Sequence, residues 1–185
     1  MKTQNKNLEP FVWGYGERVL EMFLEPTCPY SAKAYGKIDM LIAEAGEHRL
    51  KVFVRFQSQP WHLFSGIVIR SILAASTMEN GRNKSISVME AVFAHREDFE
   101  FIDHCKGPNM KSNPNEIIKR IYDLSGCDVS KAFENKEIQN LIKWHAKYAR
   151  QNGIHVSPTF MIDGLVAPEM SSGDDINKWL TELQL

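Results

Sequence analysis

Cys28 stands between Thr27 and Pro29, where an apolar run ends and a helical pattern begins. A sulfur at the first turn of a helix faces backbone N–H groups that lack intrahelical acceptors, and the positive end of the helix dipole favours the thiolate there. The thiolate is the attacking form of cysteine in disulfide exchange. Ser31 follows three residues later, one helical turn on, so its hydroxyl can be offered to the sulfur. Pro29 suits the first helical position, because the N–H it lacks would have had no partner there.

Other residues invite chemistry less directly. The chain has three cysteines, which cannot all pair with one another, so at least one is free. Cys105, in His104-Cys105-Lys106-Gly107-Pro108, and Cys127, after Gly126, both read as helix-end residues. Cys127 fits a small packed side chain, and either cysteine becomes a remote resolving thiol if the fold brings it to Cys28. His95, His104 and Cys105 suggest a metal site, but they lack a Cys-x-x-Cys pair and a fourth ligand. Histidines held at helix ends by the C-terminal dipole are the better account, and no metal is expected. His62 follows the second apolar run and belongs at the sheet edge that carries Cys28, either helping to ionise the sulfur or covering the core together with Trp61. His155 lies three residues before Pro158. Glu21 and Glu25 fall on a strand that ought to be buried. For Glu25 a strand-end side chain reaching water is expected, whereas Glu21 reads equally as buried or solvated.

The elements that must position these residues follow from periodicity. Residues 18–25 are apolar on both faces, as a central strand between helical layers should be. Tyr30, Ala34, Ile38, Leu41, Ile42 and Ala45 form one helical stripe closed by Gly46. Residues 50–56 alternate as a second strand. Strand, helix and strand in so short a span predict a βαβ unit with parallel strands. From Gly66 to Asn152 the pattern is helical. Helices are predicted over 67–78 and 86–105, over 114–124 behind an Asn113–Glu116 capping box, and over a last long stretch ending at Gly153. Residues 158–166 then read as a strand, an Asp-Gly turn and a short partner strand. An amphipathic helix over 174–183 closes the chain.

A length of 185 residues corresponds to about one domain. The composition, 43% hydrophobic and 24% charged, is that of a soluble globular protein. Net charge is −1, from 22 basic and 23 acidic residues, so binding to nucleic acid by field alone is excluded. No run of ~18 apolar residues exists to span a membrane. The opening residues 1–10 are polar and lack the apolar middle of a signal peptide. A cytoplasmic location is expected, where thiols stay reduced.

Cys28-Pro29-Tyr30-Ser31, preceded by Val19-Leu20-Glu21-Met22-Phe23, resembles the active-site region of the DsbA-like branch of the thioredoxin superfamily. Val156-Ser157-Pro158-Thr159-Phe160 is similar to the same branch's cis-proline loop. The resemblance runs from about residue 10 to residue 185. It implies an α/β, thioredoxin-like fold of βαβ…ββα type, with a core near 10–64 and 151–185 split by a helical insertion of DsbA type near 65–150. It also implies that Cys28 is the nucleophile, that Pro158 is cis, and that the Ser157 backbone, Pro29 and Tyr30 meet the substrate. Tyr30 occupies a position where members vary residues that tune the redox potential, although its ring equally suits the first core position of its helix. Glu21 stands one residue further from the cysteine than the family's buried acid.

Dithiol members carry a second cysteine where this chain has Ser31, so a dithiol cycle through positions 28 and 31 is ruled out. The expected function is thiol–disulfide exchange or protein-disulfide isomerisation through mixed disulfides at a single cysteine. Its partners would be a disulfide-containing peptide or protein, or a glutathione mixed disulfide. Glutathione would serve as co-substrate, with no bound cofactor. Two alternatives stand beside it. A kappa-class-like glutathione transferase or isomerase would use Ser31 to activate glutathione, and a thioredoxin-fold binding or chaperone module would have lost catalysis.

Overall fold

The computed structural model describes residues 11–185, so the polar opening segment 1–10 lies outside it. Among the described residues five strands form one sheet in the order β1-β3-β2-β4-β5. They are β1 (Val12–Gly14), β2 (Arg18–Leu24), β3 (Leu50–Phe56), β4 (Thr159–Ile162) and β5 (Leu165–Val166). β2 is central and pairs parallel with β3, while β1, β4 and β5 run antiparallel to their neighbours. This is the α/β, thioredoxin-like arrangement that the motifs imply. β1, an edge strand of three residues, is too short to leave a period in the sequence.

Alternation along β2 sends its residues to two layers. Leu20, Met22 and Leu24 join the main core with α2 (Ile38–Ala45) and α8 (Ile176–Leu183), whereas Phe23 packs with Ala149, Ile154 and Met161 beneath α7 (Ile138–Gln151). Between β3 and β4 the chain is almost wholly helical. It comprises α3 (Ser65–Ser76), α4 (Gly81–Ala94), α5 (Pro114–Ser125), α6 (Ser130–Phe133) and α7, with 3-10 turns at Arg96–Phe99 and Pro108–Lys111. Asn113 caps α5 as its sequence predicts: its side chain accepts from Asn115 N and Glu116 N, and Glu116 accepts from Asn113 N at 3.0 Å. No helix of the described residues is long and apolar enough to cross a membrane.

Two predicted helices are interrupted. The stripe that begins at Tyr30 is two helices, α1 (Pro29–Tyr35) and α2, broken at Gly36 and Lys37. Glycine in a helix interior costs ~1 kcal/mol relative to alanine, and the Lys37 ammonium is held by the Ser172 and Asp174 carbonyls over the Trp179 ring. Tyr30 is 64% exposed and so is not a core residue. The stretch 86–105 also stops being α-helical at His95, where φ reaches −123°. The Asn109 amide donates to the Glu97 and Glu100 carbonyls at 3.0 and 2.7 Å, satisfying the turned backbone. Asp103 and His104 then adopt positive φ in a tight turn bridged from Ile102 to Lys106.

Candidate functional site

Cys28 is the N-cap of α1, in extended conformation, and its amide donates to Glu25 O at 3.0 Å. This turn follows directly from the end of β2, so strand and helix together fix the sulfur at the carboxyl edge of the sheet. The residue is 5% exposed, while Pro29 and Tyr30 beside it stand in solvent. The thiol donates to Ser157 O at 3.9 Å. Ser157 and Pro158 are joined by a cis peptide bond in the loop before β4. Two chain segments 129 residues apart therefore meet at the sulfur. Ser157 Oγ, close by, is buried without a hydrogen-bond partner among the described residues.

Ser31 is fully buried, and its Oγ accepts from Glu25 N at 3.0 Å. The first turn of α1 points this side chain back under the end of β2, where a backbone N–H has run out of sheet partners. The Ser31 hydroxyl therefore serves as acceptor to the strand-end amide, and no hydrogen bond from it to Cys28 occurs among the described residues.

The two glutamates divide differently from expectation. Glu25, expected at the water, is 0% exposed. Its Oε1 accepts from Thr27 N and Thr27 Oγ1, each at 3.0 Å. Its Oε2 accepts from Gln59 N at 3.3 Å and is hydrogen-bonded to Ser65 Oγ. Burial raises the Glu25 carboxyl above the usual carboxylate range, against the lowering effect of these hydrogen bonds. Glu21 is buried too, under α7. It pairs with Arg55 at 2.6 Å and accepts from Tyr148 Oη at 2.7 Å. The Arg55 guanidinium lies against the rings of Phe53, Trp144 and Tyr148, so Glu21 is held in an ion pair under α7. Burial and the Glu21 hydrogen bond push Tyr148 up to about 12.

His62 is buried with Nδ1 2.9 Å from Thr27 Oγ1 and 3.7 Å from Glu100 Oε2. Burial, then His104 and Arg96, hold its imidazole below the usual histidine range, which keeps it neutral. It therefore reaches the residue preceding Cys28. His104 packs against His62 with ring centroids 5.5 Å apart. His155 contributes its carbonyl, which accepts from Gln59 Nε2 at 3.3 Å, while its ring is exposed. Trp61 is also exposed and does not cover the core. His95 caps α4. Cys105 is exposed in the 102–106 turn, and Cys127 is buried in the main core, where burial pushes its thiol up. Among the described residues no group of His, Cys, Asp and Glu could hold a metal ion.

Sequence reasoning missed Glu25, Thr27, Ser65 and Glu100 as neighbours of the site. The one local signal was an acid three residues before the cysteine, just past a strand end. An open cleft of about 580 Å³ lined by Glu17, Arg18, His48, Arg49 and Asp163 lies away from Cys28, at the far end of β2. Its Arg18 is already paired with Asp163, so the site chemistry is assigned to the Cys28 end.

Comparison with known proteins extends this picture. Residues 16–182 match the family model described as Thioredoxin. The crystal structure of a candidate protein-disulfide isomerase from Pseudomonas syringae is 55% identical, with a TM-score of 0.93 over 96% of this chain and 99% of that one. DsbA2 from Pseudomonas aeruginosa, at 15% identity, shares the fold with a TM-score of 0.66 over 94% of this chain and 91% of its own. A thioredoxin-like oxidoreductase from Silicibacter pomeroyi DSS-3 does so at 18% identity, with a TM-score of 0.67 over 94% and 89%. No curated protein matches the sequence.

Proposed function

This chain belongs to the thioredoxin family, and on that premise we propose that it is a thiol–disulfide oxidoreductase or isomerase working through Cys28 alone. The observation that carries the reading is the Cys28 sulfur at the start of α1, 3.9 Å from Ser157 O. A peptide-like substrate laid along the 156–158 loop brings its own sulfur to that place, with Pro158, Pro29 and Tyr30 around it.

The Cys28 thiolate attacks one sulfur of a disulfide R–S–S–R′. The Cys28–S–S–R bond forms, the S–S bond of the substrate breaks, and R′–S⁻ leaves and takes up a proton. Ser31 offers no second sulfur, and its hydroxyl is engaged with Glu25 N. Release therefore falls to an external thiol, which attacks the mixed disulfide, returns Cys28 as thiolate and carries R away as a new disulfide. Glutathione suits that role in a cytoplasmic setting, where it is the abundant free thiol.

The test is turnover of glutathione-mixed and peptide disulfides by the wild type, Cys28→Ala and Ser31→Ala. Loss of exchange in Cys28→Ala, with Ser31→Ala retaining it, is the expected result. The opposite pattern would move the chemistry to Ser31 and glutathione activation. Peptide binding with no exchange in any form would leave a binding module.

A further inference from the structure

Glu25 is a fully buried carboxyl with a raised pKa, one turn before the reactive sulfur, and it is not isolated from water. Ser65, the first residue of α3, is itself buried and holds its Oγ against Glu25 Oε2 on one side and Ser58 Oγ, at 2.8 Å, on the other. Ser58 is exposed. Carboxyl, buried hydroxyl and exposed hydroxyl thus make a continuous line from beneath the cysteine to solvent.

A hydroxyl carries one proton and can both donate and accept. Ser65 must therefore donate to one neighbour and accept from the other, and both arrangements satisfy every group. With Glu25 ionised, Ser65 donates to Oε2 and Ser58 donates to Ser65. With Glu25 neutral, the carboxyl O–H donates to Ser65 and Ser65 donates to Ser58. The two states differ by the one proton that has passed along the line and by which neighbour each serine hydroxyl faces. Such reversibility is what a chain needs in order to pass a proton, and a group placed only for packing does not require it.

We infer that Ser65 and Ser58 are positioning residues that form the proton path of Glu25, and that this path opens and closes the charge balance of the Cys28 site during exchange. The inference rests on the proposed function. While Cys28 is a thiolate, a second negative charge one turn away is disfavoured, which adds to the burial that favours the neutral Glu25 carboxyl. When the thiolate attacks, its charge departs on R′–S⁻. Glu25 then releases its proton through Ser65 and Ser58 to solvent, where R′–S⁻ becomes R′–SH. When an external thiolate frees Cys28, the proton returns along the same line. The other titratable groups near Glu25 act through Thr27: His62 at its hydroxyl, with Glu100, His104 and Arg96 behind it. They form a second arm, reached through the Thr27 hydroxyl and the buried His62 ring rather than through the two serine hydroxyls.

The test follows the Glu25 carboxyl band by infrared spectroscopy after a pH jump, in wild type, Ser58→Ala and Ser65→Ala, with Glu25→Gln identifying the band. In Ser58→Ala the band should follow the jump several-fold more slowly with an unchanged midpoint, and added imidazole should restore the rate. In Ser65→Ala the rate should also fall, and the midpoint should rise because a hydrogen bond to the carboxylate is lost. Wild-type rates in both variants would overturn the path. A slowed but unrescued Ser58→Ala would do the same, because the loss would then be structural. Alkylating Cys28 to a neutral thioether should lower the Glu25 midpoint, and an unmoved midpoint would overturn the coupling. None of these readings needs an exchange substrate, so they stand apart from the turnover test: loss of the path leaves the Cys28→Ala result intact, and the reverse also holds.

Discussion

Thr27 Oγ1 and His62 Nδ1 lie 2.9 Å apart, and the same hydroxyl donates to Glu25 Oε1 at 3.0 Å. With its one proton given to the carboxyl, Thr27 can only accept from the imidazole, so Nδ1 of His62 carries the hydrogen. Nitrogen NMR at neutral pH should report the Nδ1–H tautomer. Thr27→Val should release that preference and cost about 1–3 kcal/mol, the desolvation penalty of a buried group left without its partner. An Nε2–H tautomer in the wild type would reverse the direction of this hydrogen bond.

Glu25 makes stability depend on pH in a stated direction. Its folded pKa is raised from 4.5, so above that value the folded protein holds a proton that the unfolded chain gives up. The stability it contributes is full below pH 4.5 and is lost as pH rises through the folded value. Urea melts should therefore show Glu25→Gln gaining on the wild type as pH climbs from 4.5. A difference that stays constant with pH would mean that Glu25 ionises normally in the fold.

His145 works in the opposite sense. It is fully buried, accepts from Phe56 N through Nδ1 at 3.2 Å, and is pushed down to about 3 by burial and by Arg55. Below pH 6.5 the unfolded chain binds a proton that the folded one refuses, so stability falls with pH from 6.5 toward 3. The difference corresponds to roughly 5 kcal/mol at full extent. His145→Asn keeps an acceptor for Phe56 N, and its melts should lose most of this acid slope. An unchanged slope would place the acid sensitivity elsewhere.

The Glu21–Arg55 pair is an all-or-none unit. Arg55 is 6% exposed, and its partner is equally enclosed. Removing only the arginine, as Arg55→Met, should cost roughly 3–5 kcal/mol because the carboxylate is left buried alone. The double variant Glu21→Gln/Arg55→Met should recover part of that loss in a thermal melt. Additive losses would show that the two charges do not depend on each other.

The remaining thiols provide a control. Cys105 is exposed, whereas Cys127 is buried with its pKa raised by burial. Alkylation with a small neutral reagent at pH 7, read by peptide mass spectrometry, should label Cys105 readily and Cys127 far more slowly. Equal labelling would indicate that the core around Cys127 opens.

What was legible in the sequence was local. The strand before Cys28, the proline that starts α1, the Asn113 cap and the Asp163-Gly164 turn are set by neighbours a few residues apart. Glu25 was not legible, because its burial is decided by Gln59 and Ser65, 34 and 40 residues away. The break after Ala94 was hidden in the same way: Asn109 satisfies the turned carbonyls from further along the chain, while the residues beyond 94 keep helical spacing. Ser31 shows the limit of a spacing argument. One turn puts it near the sulfur, yet the unpaired Glu25 amide is the partner it meets.

The contact between Cys28 and Ser157 spans 129 residues, so the site has a birth order. On a ribosome adding ~5–20 residues per second, the thiol is made on the order of 10 s before the loop that covers it. Until then the nascent chain carries the Cys28 thiol without the cis-proline loop whose carbonyl it meets in the fold. A chain ended before Ser157 would carry the thiol and lack the loop that encloses it.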